Sequence, residues 1–218
     1  MLSLLSGAAP VTYPESPAVP PDTTIRQGKQ RVSAMSCAKI MLIRHAERPS
    51  ADKSIRGVTQ EGIKNKEELT VRGWQRAGAL VRFFAPCDNH FVDAALERPD
   101  ILFACKAGPT APSLRPQHSL MPLAELIQVD LNCDYFEGEE EALVQKALMA
   151  KGTVLIAWKH RNMHVIANAI LGNKTTAPQY WPFNRVDLVW IFERKGESWT
   201  FTQVPQLLLA GDQPDVID

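Results

Sequence analysis

Lys39-Ile40-Met41-Leu42-Ile43-Arg44-His45-Ala46-Glu47-Arg48-Pro49 is the stretch on which the fold turns. Branched aliphatics fill a run of strand length, and four ionisable side chains then arrive within five positions. A run apolar at every position reads as a strand covered on both faces, the pattern of a parallel sheet. Groups that a core does not accept unpaired follow at once, so Arg44, His45, Glu47 and Arg48 are expected at the strand's carboxyl end, where open α/β sheets place ligands. Pro49 lacks an amide donor and stops the pairing there.

Two further runs have the same character. Asp100-Ile101-Leu102-Phe103-Ala104-Cys105 leads to Lys106 and a Gly/Pro-rich loop; Thr153-Val154-Leu155-Ile156-Ala157-Trp158 leads to Lys159-His160-Arg161. Helices are expected between the strands. Trp74, Ala77, Leu80, Val81 and Phe84 recur at helical spacing, with Arg72, Gln75, Arg76 and Arg82 mostly off that face and Pro86 as the stop. Ser113 is the expected N-cap of a helix reaching Ile127, early enough for Pro116 to be tolerated. A short strand is expected at 128–131, and a helix over 139–151 with acids first, lysines last and Gly152 closing it. Val165, Ile166, Ala169 and Ile170 predict another helix. Val186 to Glu193 and Trp199 to Val204 predict a hairpin turning at Lys195-Gly196. Alternating strands and helices give an α/β class: a three-layer sandwich whose central sheet is mostly parallel and whose last strands are antiparallel.

Residues 1–36 carry Pro10, Pro14, Pro17, Pro20 and Pro21 without periodicity and read as a disordered leader, with 37–218 as a single domain. Met35 stands just before the first strand as an alternative start to Met1. The chain has 218 residues, is 45% hydrophobic and balances 24 Lys+Arg against 24 Asp+Glu, so no global field recommends nucleic acid or an anionic membrane as partner. Cys37, Cys87, Cys105 and Cys133 show no CxxC spacing, and no apolar run spans a bilayer, so the cytoplasm is the expected compartment. Ser50 to Glu68 and Asn173 to Asn184 are long polar connections expected to set selectivity.

In a parallel sheet, the three strand ends converge on one edge. Arg44, His45, the loop carrying Arg115, and His160 would then share a pocket of guanidiniums and imidazoles, a site for an oxyanion. An imidazole among cations stays neutral and nucleophilic. His160 and His164, four residues apart, could instead be half of a zinc site, but no HExxH or carboxylate cluster completes it.

The arrangement resembles the histidine phosphatase superfamily, with its phosphoglycerate mutase-like fold. Arg44-His45 after the apolar strand matches its Arg-His motif in a His-Ala-Glu variant. Leu69-Thr70 with Gly73 and Ala77 matches the start of its first helix. Ser113-Leu114-Arg115-Pro116 resembles its second-arginine motif, and Val154 to His160 the strand delivering the second histidine. The resemblance implies metal-independent cleavage of small phosphomonoesters with no cofactor. His45 would become phosphohistidine, and Arg44, Arg48, Arg115 and His160 would hold the phosphoryl oxygens. A protein phosphohistidine substrate, and a phosphate-binding pseudoenzyme, remain the alternatives.

The chain departs from the pattern in places. Ala46 stands where glycine is usual, Arg161 follows His160, and Ala104-Cys105-Lys106 replaces an expected serine. For the proton donor two carboxyls are candidates: Glu47, near the nucleophile in sequence, and Glu137, in a loop after the second arginine.

Overall fold

A computed structural model describes residues 37–52, 54–109 and 111–218; the expected leader lies outside them. The elements follow the expected order. They are β1 (Lys39–Arg44), α1 (Val71–Phe84), β2 (Ile101–Ala104), α2 (Arg115–Ile127), β3 (Leu131–Asn132), α3 (Glu140–Leu148), β4 (Thr153–Trp158), α4 (Met163–Leu171), β5 (Leu188–Lys195) and β6 (Ser198–Pro205).

The strands form one sheet in the order β3-β2-β4-β1-β5-β6. β3, β2, β4 and β1 are mutually parallel, while β5 runs antiparallel to both β1 and β6. Every residue of β1 and β4 is buried, as their uninterrupted apolar character requires of central strands. Side chains alternate strictly between the faces. Ile40, Leu42, Val154, Ile156 and Trp158 pack with Leu143 and Val144 of α3 and Met163, Ile166 and Ile170 of α4. Met41, Ile43, Leu155 and Ala157 pack with Leu80, Phe83 and Phe84 of α1 and Leu120 and Leu123 of α2. Each large aliphatic so buried is worth about 1.5–3 kcal/mol relative to exposure. The result is a helix–sheet–helix sandwich.

Three local expectations are corrected. Arg76 was placed off the apolar face of α1, yet it is only 1% exposed, because Glu47, Gln206 and Asp212 converge on its guanidinium. Ser113 does not cap α2: the N-cap position is Leu114, with no side-chain cap. Gly152 serves the start of β4 rather than the end of α3. It lies three residues beyond the C-cap Met149 and has φ +96°, and a Cβ there would meet the Asp100 carboxylate that receives the Thr153 amide.

Candidate active site

Register fixes where the functional side chains go. Arg44 pairs with Trp158 and Ala104 with Ala157, so β1, β2 and β4 end level with one another and release His45, Cys105 and Lys159 at one edge. Because β5 is antiparallel, the segment entering it reaches the same edge. There Arg44 donates through Nη1 to the carbonyls of Pro182 and Arg185, at 3.3 and 2.8 Å, and also to that of Phe183. A cavity of about 240 Å³ opens at this edge. His45, Arg48, Arg115, Glu137 and His160 line it.

His45 is buried, and its Nδ1 lies 2.8 Å from the carbonyl oxygen of Ala46. A carbonyl only accepts, so Nδ1 carries the proton, and a neutral ring keeps its lone pair on Nε2. Burial, and then the Arg44 guanidinium, hold the imidazole well below the ordinary histidine value. His160 opens a short 3₁₀ turn, His160–Asn162, after β4. Burial, followed by Arg44, Arg48 and Arg161, brings it down to about 4. The Cys105 thiol is pushed up to about 12 by burial, so it is protonated and a poor nucleophile at neutral pH.

The two sides of the site are tied together. The Ala46 amide donates to Ser119 Oγ at 2.8 Å, and that hydroxyl donates to the Arg115 carbonyl at 2.7 Å. One fully buried serine on α2 thereby fixes the residue after His45 against the residue bearing the second guanidinium. On the far side, Glu47 O accepts the Thr70 amide at 3.0 Å. Gly73 sits so close that a Cβ would lie 2.6 Å from that same carbonyl, which explains the glycine spacing at the start of α1. The Ala46 methyl packs with Leu69, Ala77 and Trp74.

The cations differ in their commitments. Arg115 Nη1 donates to the Lys66 carbonyl at 3.0 Å. Arg48 stacks 4.1 Å over the ring of Phe183, whose edge meets His160. Arg44 is not among the lining residues, and burial lowers it to about 10. Among the described residues, the buried side-chain polar atoms without a hydrogen-bond partner are Arg44 Nε, Arg115 Nε and Ser113 Oγ. Buried donors are rarely left unpaired, and Arg115 and Ser113 line this one cavity together with His45, which follows Arg44 in the chain. They are suited to an acceptor-rich ligand.

The carboxyl candidates part company. Glu47 is held by Arg72 Nε at 3.1 Å and Arg76 Nη2 at 2.9 Å and does not line the cavity. Its ion pairs turn it toward Arg72 and Arg76 of α1. Glu137 does line the cavity, with Lys159 Nζ at 3.0 Å. Glu67 lines it as well. Glu67 and Phe183 fall in the two long connections expected to set selectivity, though neither was singled out there, and Ser119 reaches the site only through long-range packing. Among the other histidines, His118 pairs with Glu68, while His164 borders a separate groove on α4.

The depressed imidazoles have a consequence for stability. The unfolded chain takes up protons near pH 6.5, whereas folded His160 does so only near 4, so protons favour unfolding in between. This contribution is fully present above about pH 6.5 and is lost progressively as pH falls toward 4. In denaturant unfolding at a series of pH values, His160→Gln is expected to lose less stability than wild type between pH 6.5 and 4. Parallel curves would contradict the depressed value.

No family model and no curated protein matches the sequence. Solved structures do match. A protein from Escherichia coli assigned as an alpha-ribazole-5'-P phosphatase aligns with a TM-score of 0.50 at 10% identity, over 78% of this chain and 97% of its own. A phosphoserine phosphatase from Entamoeba histolytica aligns at 0.46 and 13% identity, over 75% and 94%. A protein from Agrobacterium tumefaciens assigned as the phosphohistidine phosphatase SixA aligns at 0.43 and 13% identity, over 76% and 96%. The likeness at 0.50 is one of fold: the chain has a phosphoglycerate mutase-like α/β sandwich.

Proposed function

We propose that this chain is a phosphatase of the histidine phosphatase superfamily, cleaving small phosphomonoesters without a metal through a phosphohistidine on His45. The observation that carries the reading is the cluster of unpartnered buried donors around a neutral imidazole whose Nδ1 is anchored on Ala46 O. Nε2 of His45 attacks phosphorus, and the P–O bond to the leaving group breaks in line. The phosphoryl oxygens are held by Arg115, Arg48 and His160, with Arg44 adding positive charge. The transition state spreads negative charge over these oxygens, so preorganised donors supply most of the acceleration. Glu137 protonates the departing oxygen. The same carboxylate then takes a proton from water as it attacks phosphohistidine, which releases phosphate and restores the neutral ring.

Incubation with a panel of phosphorylated metabolites, with and without chelator, tests the activity: hydrolysis indifferent to chelator supports it, and no hydrolysis, or hydrolysis abolished by chelator, sinks it. Proton donation is tested separately. In kcat/KM, which reports the step that expels the leaving group, Glu137→Gln is expected to lose far more on an alkyl phosphate than on an aryl phosphate, whose leaving group is already a weak base. Glu47→Gln is expected to reduce both alike. Equal losses on both esters for Glu137→Gln would remove it as the acid.

A further inference from the structure

Ser113 stands two residues before Arg115, and its hydroxyl does no structural work that the fold reveals. It is 7% exposed and lines the same cavity as His45, and its Oγ has no hydrogen-bond partner among the described residues. The usual task of a serine at this place is to cap the following helix, yet α2 begins with Leu114 at the N-cap and no side-chain cap. The Leu114 amide donates instead to the Glu67 carbonyl. A buried hydroxyl left unpaired weakens the folded state, and it is retained where a ligand completes it.

The ligand's character follows from the neighbours. Arg115 Nε, also buried and unpaired, lines the same wall, and the positive end of the 13-residue helix α2 starts there. A guanidinium only donates, so a molecule satisfying both groups must offer several acceptor oxygens. A phosphoryl group does this, with the serine hydroxyl as donor.

We infer that Ser113 donates its hydroxyl hydrogen to a nonbridging phosphoryl oxygen and is a substrate-binding residue of this site. The inference rests on the phosphatase reading above. It also makes Ser113 a residue at which binding is favoured over the stability of the free protein.

Ser113→Ala tests it, with orthovanadate as the probe of the five-coordinate phosphorus. Three results are expected together. The value of kcat/KM on an aryl phosphate falls about tenfold to a hundredfold, and the inhibition constant of orthovanadate rises about tenfold. The melting temperature without ligand stays unchanged or rises, while the added stabilisation by orthovanadate shrinks. A structural role would instead lower the melting temperature of the free protein, and that result would overturn the inference. Wild-type values of kcat/KM and of orthovanadate inhibition in the variant would overturn it too. If wild type itself neither turns over phosphomonoesters nor binds orthovanadate, the phosphatase reading fails and the inference falls with it.

Discussion

His45→Ala is expected to lower phosphomonoester turnover by about 10⁴-fold or more, as removal of a nucleophile that forms a covalent intermediate does, with little change in melting temperature. No other group at the edge can take over. The Cys105 thiol, pushed up to about 12, is protonated, and His160 is committed to the phosphoryl oxygens in this mechanism. The fold should survive, because the ring lines the cavity and its hydrogen bond is local, to the carbonyl of Ala46. Activity assays on a variant whose circular dichroism and melting temperature match wild type decide the matter. Retained turnover would remove His45 from the mechanism.

Arg76→Ala is expected to produce the largest loss of stability, about 3–5 kcal/mol, the usual consequence of removing one partner from a buried ion cluster. The Arg76 guanidinium donates to the Glu47 carboxylate, to both oxygens of Asp212 and to Gln206 Oε1. It joins the segment that follows β1 and bears the nucleophile to the segment after β6. Its removal leaves Asp212 nearly buried and Glu47 with only the half-exposed Arg72. Denaturant unfolding measures the effect, and a loss below about 1 kcal/mol would show that Arg72 and solvent compensate.

How much of this was legible from the residues depended on the range of the interaction. β1 and β4 announced themselves because burial on both faces leaves no polar position to misread, and their register then delivers His45 and His160 to one edge. Pairing partners set by distant chain were not legible. Arg76 looked like a solvated helix face because Gln206 and Asp212 lie more than a hundred residues away. Glu47 lies two residues from His45, but its partners Arg72 and Arg76 come from α1, which sequence distance does not show. Ser113 had the sequence character of a cap, and only the start of α2 at Arg115 frees its hydroxyl for another task. The carbonyls that hold Arg44 come from the segment before β5, which the hairpin prediction located without showing that antiparallel pairing returns it to the site.

The most direct test of the account is to trap the covalent intermediate. Wild-type protein turning over a ³²P-labelled phosphomonoester is quenched in alkali, and the label is mapped by peptide mass spectrometry. The account predicts an acid-labile, alkali-stable phosphoryl group on the peptide carrying His45, absent from His45→Ala and accumulating in Glu137→Gln with an aryl substrate, where water attack lacks its base. Turnover in wild type with no trapped phosphate, or with the label on His160 or on any other residue, would contradict it.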